Sequence, residues 1–329
     1  MFWENLTNAN LGEPFFALAP MNDVTDSVFR QIVAKCAAPD VFFTEFVSVD
    51  SLSSIGARRM DVKLAYSDVE KPLIVQIWGN KPKNYEIQCR ELSYRGYAGI
   101  DINMGCPVQK VISKGSCSAL IKNRSKAKEI IDATREGISA GDRNVALSVK
   151  TRIGFDEIDL TWIEFLLNQN LDCLTVHCRT TKEQSKVPNH FEVLPEIVAM
   201  RSAIAPNTKL VLNGDVHTRA QGEELAGEHG VDGIMIGRGI FFDPFVFSQQ
   251  SPWVDMRTAQ KLELYIEHID LYERTWQGKK NPDALKRFAK TYVIGFPGAP
   301  QVRDNIMGLK NIDAVRDYLL ELISQTLVS

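Results

Sequence analysis

Eight short apolar runs, separated by longer helical patterns, recur through the first three-quarters of the chain. The runs are rich in Val, Ile, Leu and Phe without strict alternation, which is typical of strands covered on both faces. A repeated strand-then-helix order predicts a parallel sheet. The runs are FFALAP (15–20), VFFTEF (41–46), PLIVQIW (72–78), AGIDIN (98–103), NVALSVK (144–150), DCLTVH (172–177), KLVLNG (209–214) and DGIMIG (232–237).

The number of units favours a closed barrel over an open sheet. Eight strand–helix units in about 230 residues match the size of a (β/α)8 barrel. A doubly wound open sheet is the alternative, but the chain has no GxGxxG after the first run and no GxxxxGK[ST]. From about residue 256 the pattern becomes helical. We therefore expect a TIM-barrel domain over residues 1–245 and a small all-helical domain over residues 246–329.

Polar residues close almost every predicted strand. A buried strand gains nothing from a polar tip, because burying such a group without a partner is costly. The C-terminal ends of barrel strands surround the active site of this fold. We therefore interpret the ring of strand ends as a polar ligand site. The strands finish in or near Met21, Glu45, Gln76, Asn103, Lys150, His177, Asn213, Gly237 and Arg238.

The loops after the last two strands read NGD (213–215) and GRG (237–239). Such loops often form a phosphate site, where glycine lets backbone N–H groups approach an anion and Arg238 adds a charged fork. With Gln76 and Lys150 deeper in the mouth, the pattern suits FMN, because an amide can bond the ring edge and a lysine can stabilise the anionic reduced ring. A Schiff base on Lys150 is the alternative.

Cys106 lies on the loop after the fourth strand, held between Gly105 and Pro107. A thiol at a barrel mouth is a candidate nucleophile or proton donor, since its ordinary pKa near 8.5 leaves it protonated at neutral pH. The six cysteines contain no CxxC pair, and neither they nor the histidines show metal-ligand spacing. We expect reduced thiols and no metal.

Charge and hydropathy indicate which kinds of partner, such as polyanions or membranes, the chain could bind. The net charge is −3, yet the segment 279–310 carries seven lysine and arginine residues against two aspartates. Such local patches attract phosphates, although a solvated helix face has the same composition. The chain has neither a long apolar run nor a signal-peptide pattern at MFWENLTNAN, so we expect a cytoplasmic protein without a membrane span.

These residues lie in motifs that resemble the bacterial type of tRNA-dihydrouridine synthase. The resemblance covers nearly the whole chain, DINMGCP being its most specific part, and ALKRFAKTYVIGFPGA (284–299) with Arg303 resembles the family's helical domain. The barrel motifs are APMNDVTD (19–26), TEFVS (44–48), VQIWG (75–79), DINMGCPVQKV (101–111), SVKTRIGFD (148–156), VHCRT (176–180), NGDV (213–216) and IGRG (236–239).

The resemblance implies a function and a set of site residues. The family reduces uridines in tRNA with bound FMN and transient NADPH: hydride reaches uracil C6 and a cysteine, here Cys106, protonates C5. The uracil would face Asn103, Lys150, Arg152 and His177. We expect the basic segment, through Lys286, Arg287, Lys290 and Arg303, to bind the tRNA backbone. The implied FMN-binding positions are Pro20, Met21, Gln76, Lys150, His177, Asn213, Gly214, Asp215, Gly237 and Arg238.

Four positions depart from the family pattern. Asp23 stands where glycine is usual, Cys117 and Cys178 replace small residues or glycine, and PNHF (188–191) replaces the usual stretch. We expect changes in local loop shape, and a Cys117 that competes with Cys106 for oxidation. Two other functions remain possible: an FMN-dependent dehydrogenase of a small pyrimidine, and a tRNA-binding protein without catalysis. We expect a monomer.

Overall fold

The computed structural model describes residues 2–54, 60–141 and 145–328. The chain divides into two compact units. We call them the barrel unit (Met1–Ser27, Pro39–Val216 and Ala220–Gly237) and the helical unit (Val28–Ala38, His217–Arg219 and Arg238–Ser329). None of the helices in the described ranges is long and apolar enough to cross a membrane.

The described residues of the barrel unit form nine strands, all paired in parallel. They follow the order β1-β9-β8-β7-β6-β5-β4-β2, with β3 also on β4. A bridge between Ala17 and Val41 closes the ring. The predicted (β/α)8 barrel is therefore confirmed. The strands are β1 (Phe15–Leu18), β2 (Phe42–Phe43), β3 (Val47–Ser48), β4 (Leu73–Trp78), β5 (Gly99–Met104), β6 (Ala146–Arg152), β7 (Cys173–His177), β8 (Lys209–Asn213) and β9 (Gly233–Ile236).

Fourteen α-helices accompany these strands in the described residues. Short 3-10 helices add turns at Asp68–Glu70, Cys117–Lys122, Phe191–Val193, Arg238–Phe241 and Pro282–Phe288. The α-helices are α1 (Phe2–Ala9), α2 (Ser27–Ala37), α3 (Val49–Leu52), α4 (Asp61–Leu64), α5 (Pro82–Ser93), α6 (Gln109–Ile112), α7 (Arg124–Ser139), α8 (Leu160–Leu167), α9 (Leu194–Ile204), α10 (Arg219–His229), α11 (Thr258–Trp276), α12 (Ala289–Tyr292), α13 (Ala299–Gly308) and α14 (Ile312–Val328).

The core of the barrel lies inside the ring and is closed at one end. Buried side chains from β1, β4, β7 and β8, among them Phe15, Ile74 and Val211, form one apolar cluster with Trp3 of α1. The centre of the Trp3 ring lies 5.5 Å from the centre of the ring of Phe15, which is the first residue of β1. Since α1 covers the N-terminal ends of the strands, a ligand has access at the C-terminal ends.

The predicted strands match the observed ones to within two residues at each end, except the second. The predicted run 41–46 is interrupted, because the Thr44 hydroxyl, in place of a carbonyl, accepts the backbone N–H of Gln76 at 3.1 Å. The strand predicted to end at Lys150 continues to Arg152, because it pairs with β5 as far as Thr151 and with β7 as far as Arg152. Asn144, the first residue of that predicted strand, lies outside the described residues.

The helical unit has its own aromatic core. Tyr265 and Tyr292 stack at 4.9 Å, and His268 lies 4.9 Å from the Phe288 ring. Phe288 and Tyr292 are both buried in this core.

Candidate active site

A cavity of about 200 Å³ opens among the C-terminal ends of the strands. Seven residues predicted from the sequence line it together: Pro20, Gln76, Asn103, Cys106, Lys150, Arg152 and His177. Gly105, Pro107 and Phe46 complete the lining. Phe46 was not predicted from the sequence, although it lies inside the TEFVS motif at the end of the second predicted strand. We call this space the mouth cavity.

A chain of hydrogen bonds links the barrel interior to the Cys106 loop. Asp101 accepts from Ser148 Oγ at 2.6 Å and from Gln76 Nε2 at 2.7 Å. Asn103 Nδ2 donates to Gln76 Oε1 at 2.9 Å, and Asn103 Oδ1 accepts the Cys106 N–H at 2.9 Å. Burial raises the pKa of Asp101 to about 6, so at neutral pH its carboxylate is mostly ionised and fixes the direction of every amide in the chain.

These hydrogen bonds make Asn103 a support for the Cys106 loop as well as a candidate substrate contact. Replacing it with alanine removes the acceptor of the Cys106 N–H, and a misplacement of about 1 Å costs on the order of 100-fold in rate. For the dihydrouridine formation that the motif resemblance implies, we expect Asn103→Ala to lower kcat about 10- to 100-fold. Steady-state kinetics with tRNA measure this, with Asn168→Ala at the exposed end of α8 as the control. A wild-type kcat for Asn103→Ala would exclude the supporting role.

Lys150 carries a fixed positive charge beside the cavity. Its Nζ donates to Asn213 Oδ1 at 2.7 Å, and Asn213 Nδ2 donates to the Met235 carbonyl at 2.8 Å. Burial, and then the charge of Arg152, lower the pKa of Lys150 to about 8. Most of the amine is therefore protonated at neutral pH, which suits a cation held in place better than the amine nucleophile of the Schiff-base alternative.

The Cys106 thiol has an unusual environment. A hydrogen bond from Cys117 lowers the pKa of Cys106 to about 7, against the opposing effect of burial, and the Val108 N–H and the charges of Arg152 and Lys150 act in the same direction. The pKa of Cys117 is raised well above its usual value, because it donates to Cys106 and is buried. Cys117 therefore stays a thiol and donates to the Cys106 sulfur.

Asp23 and Cys117, two of the positions that depart from the family pattern, have the same backbone conformation. Their φ angles are +57° and +55°, in the left-handed region that glycine adopts without strain. This explains why glycine is usual there. Asp23 is held by its N–H, which donates to Glu45 Oε1 at 2.6 Å.

The departures at PNHF and Cys178 lie near the predicted phosphate loop. Gly214 has φ +143°, and a Cβ on it would come within 2.1 Å of Asn189 Oδ1. His190 lies 2.9 Å from both Glu183 and Glu192, and these carboxylates raise its pKa. Cys178 is fully buried. The PNHF stretch thus covers the NGD loop through Asn189.

Arg179, which was not predicted from the sequence, contacts two of the predicted site residues, Asp215 and His177. Its buried guanidinium pairs with Asp215, donates to the Val187 carbonyl at 2.7 Å, and lies 3.4 Å from His177 Nε2. A guanidinium can only donate, so this contact favours His177 with Nε2 unprotonated. Arg179 lies in the VHCRT motif, which could have indicated a role near the site, but the motif does not show which residues Arg179 contacts.

Several predicted residues lie outside the lining of the mouth cavity. Met21 donates its N–H to Thr25 Oγ1 at 2.9 Å, and Asp215 pairs with Arg179. Gly237 is the last residue of the barrel unit, and Arg238 belongs to the helical unit. Within the ranges that the structure describes, no group of three or more His, Cys, Asp or Glu residues is placed to hold a metal ion.

The predicted tRNA contacts of the basic segment fall into two kinds. Lys286 and Arg303 each donate to a backbone carbonyl of the helical unit, at 2.6 and 2.8 Å. Arg287 and Lys290 are exposed, Lys290 lying 4.3 Å from the centre of the Phe241 ring. The first two therefore take part in the fold of this unit. Arg287 also donates its Nε–H to a carbonyl of its own turn at 2.9 Å, but it is exposed and, like Lys290, offers its charge to solvent.

Comparison with known proteins identifies the family. The family model described as Dihydrouridine synthase (Dus) matches residues 17–326. A protein of Staphylococcus aureus (strain COL) named "Probable tRNA-dihydrouridine synthase" is 40% identical over 328 residues, 98% of this chain and 96% of that protein. "Probable tRNA-dihydrouridine synthase 2" of Bacillus subtilis (strain 168) is 40% identical over 322 residues, 97% of this chain and 95% of that protein.

A solved structure gives a more distant likeness. An old yellow enzyme homologue from Zymomonas mobilis aligns over 70% of this chain and 86% of its own, with a TM-score of 0.47 and 13% identity. The family membership depends on the sequence comparisons, which span nearly the whole chain. They confirm the resemblance drawn from the motifs: the chain belongs to the dihydrouridine synthase family and is an enzyme of that class.

Proposed function

We propose that this chain is a tRNA-dihydrouridine synthase that reduces the C5=C6 bond of specific uridines with bound FMN and transient NADPH, in the cytoplasm. One observation carries the proposal: a thiol with a pKa of about 7, an ordered amide chain and a fixed ammonium group surround one cavity at the barrel mouth. Relatives about 40% identical are named for the same activity on tRNA.

The donors around the mouth cavity fit a flavin. Gln76, Lys150 and His177 offer an amide, an ammonium and an imidazole group, the kinds of group that bond the edge of a flavin ring and balance its charge. We assign Asn213, Gly214 and Asp215, with Pro20, Met21, Gly237 and Arg238, to the rest of the cofactor. When bound, the flavin supplies the hydride that adds to uracil C6.

The chain's own residues then handle the substrate and the proton. The Cys106 thiol gives its proton to uracil C5, and the Cys117 hydrogen bond stabilises the thiolate that remains. Asn103 and Arg152 line the same cavity and position the uracil. Arg287 and Lys290, exposed on the helical unit, contact the tRNA backbone.

The pH dependence follows from the acid role of Cys106. Its pKa is lowered to about 7, and only the protonated thiol can donate, so the rate should be constant below that pH and fall as pH rises through it. We expect about a tenfold loss per pH unit above about 7 in the oxidation of reduced enzyme by tRNA. Stopped-flow absorbance of the flavin gives this rate.

Cys117→Gly is the matched variant for this pH dependence. It removes the hydrogen bond that contributes most to the low pKa of Cys106, and glycine tolerates a φ of +55°. The falling limb should therefore move toward the ordinary thiol pKa. A limb that stays in place in Cys117→Gly, or a wild-type rate without a limb, would contradict the assignment.

The function itself is tested in cells and in solution. Dihydrouridine should disappear from specific tRNA positions when the gene is deleted, and return with the wild-type protein but not with Cys106→Ala. Purified protein reconstituted with FMN should reduce uridines in tRNA transcripts in the presence of NADPH. A yellow protein that leaves tRNA unchanged and reduces free uracil or orotate would instead establish the small-pyrimidine dehydrogenase.

A further inference from the structure

A second cavity, of about 350 Å³, adjoins the mouth cavity within the barrel unit. The two cavities share Phe46 and Cys106 in their linings, so the second begins where the reacting uracil would end. Its volume lies in the range of about 300–1,000 Å³ that is typical of small-ligand sites. We call it the Trp78 cavity.

Aromatic rings form one part of the wall of the Trp78 cavity. Trp78 is the last residue of β4, two residues after Gln76, and alternate residues of a strand face the same side. Gln76 lines the mouth cavity and Trp78 the adjoining one. Trp78 and Phe46 are both half-buried, so each is fixed in place and still presents ring surface to a ligand.

Lysines form the other part of the wall. Lys63 lies 3.4 Å from the buried Glu45 carboxylate, which balances its charge. Lys110 on α6 and Lys114 just beyond it are exposed, and within the described part of the chain no carboxylate lies within 4.0 Å of either ammonium group. The cavity therefore combines ring faces with two positive charges that the described residues leave unbalanced.

We propose that the Trp78 cavity binds the nucleotide next to the target uridine, with its base against Trp78 and Phe46 and a backbone phosphate against Lys110 and Lys114. The inference depends on the proposed function, because a uracil held at Cys106 in a polynucleotide brings its neighbour to this space. Aromatic rings stack on any base, and lysines bind phosphates without reading sequence. The cavity therefore accommodates a neighbouring base of any identity and helps to hold the target out of the RNA fold.

Two variants of the reconstituted full-length protein test this subsite. Loss of one stacked base weakens binding roughly 5- to 150-fold, so Trp78→Leu should raise Kd and KM for tRNA by that factor. The double variant Lys110→Gln/Lys114→Gln should reduce the slope of log Kd against log salt by about 0.7 for each phosphate that the lysines no longer neutralise. Anisotropy titrations of labelled tRNA at several salt concentrations give Kd and the salt slope without catalysis.

The controls lie at the opposite end of the strands. Tyr94→Leu and the pair Lys71→Gln/Arg95→Gln change an exposed ring and two exposed charges that just precede β4 and β5, and they should leave tRNA binding unchanged. Reduction of the flavin by NADPH, without RNA, should proceed at the wild-type rate in both test variants. Thermal melts show that each variant is folded.

The outcomes separate the subsite from the function on which it depends. Slower reduction by NADPH in Trp78→Leu or in the lysine double variant, with unchanged tRNA binding, would assign the cavity to the nicotinamide nucleotide and overturn the proposal. Unchanged tRNA binding and unchanged reduction would also overturn it, while leaving an active synthase. A wild-type protein that forms no dihydrouridine in any tRNA would overturn the proposed function and the subsite together.

Discussion

Replacing Cys106 with alanine is expected to lower the rate of dihydrouridine formation by about 100- to 10,000-fold, the usual contribution of a positioned general acid. The thiol lines the mouth cavity, and its backbone is held by Asn103 and by Ser118, whose Oγ donates to the Cys106 carbonyl at 2.9 Å. Among the described residues no other cysteine lines that cavity, and Cys117, the thiol beside Cys106, is fully buried, so no other thiol is placed to give a proton to the uracil.

Measuring the reduction of the enzyme by NADPH and its oxidation by tRNA separately distinguishes a loss of proton transfer from a loss of folding. Reduction by NADPH should be unchanged in Cys106→Ala, because the proton is needed only when uracil accepts the hydride. Cys36→Ala is the matched control: this half-buried thiol of the helical unit has a pKa raised by burial to about 12 and lines neither cavity at the barrel mouth. If Cys106→Ala oxidises with tRNA within a few-fold of the wild-type rate, another group protonates C5.

Replacing Arg152 with methionine is expected to destabilise the protein by about 3 to 5 kcal/mol. The guanidinium is buried and donates to three backbone carbonyls, of Gly105 at 2.8 Å, Thr180 at 3.0 Å and Gln184 at 2.8 Å. The first two of these bonds are buried; a buried carbonyl left without a donor costs about 1–3 kcal/mol, and methionine supplies none. The same residue therefore joins the loop after β5 to the loop after β7 and lines the mouth cavity.

Urea denaturation measures the effect of Arg152→Met, with Arg124→Met as the control. Arg124 pairs with Asp159 at 3.0 Å, but about 40% of each side chain is exposed, so its loss should cost less than about 1 kcal/mol. Equal unfolding midpoints for the two variants would show that the three carbonyls find other partners. A large loss for Arg152→Met would mean that its kinetics must be measured on the folded fraction.

The structure gives Cys117 a more specific role than the sequence did. The sequence suggested that Cys117 competes with Cys106 for oxidation. In the fold Cys117 is fully buried and its hydrogen bond lowers the pKa of Cys106, so Cys106 is the more exposed and the more readily ionised of the two thiols. The left-handed φ at Cys117 makes any side chain there costly compared with glycine. The hydrogen bond to Cys106 gives a reason for a side chain at that position.

The sequence by itself determined the barrel and most residues of its mouth. Apolar runs without alternation specify strands covered on both faces, and their parallel order brings every C-terminal end to one edge, whatever the loops do. The polar residues at those ends, from Gln76 and Asn103 to Lys150 and His177, therefore had to converge. That inference needed only the period of the pattern and the direction of the chain.

The tertiary structure alone decided what each polar group touches. Arg152 donates to carbonyls up to 47 residues away, and Arg179 pairs with Asp215, 36 residues away. Lys286 and Arg303, which the charge pattern treated like Arg287 and Lys290, instead donate to backbone carbonyls 23 and 10 residues away in their own unit. The charge pattern along the chain cannot distinguish these roles, because the direction of a side chain and the burial of its partner are set by the packing of distant segments.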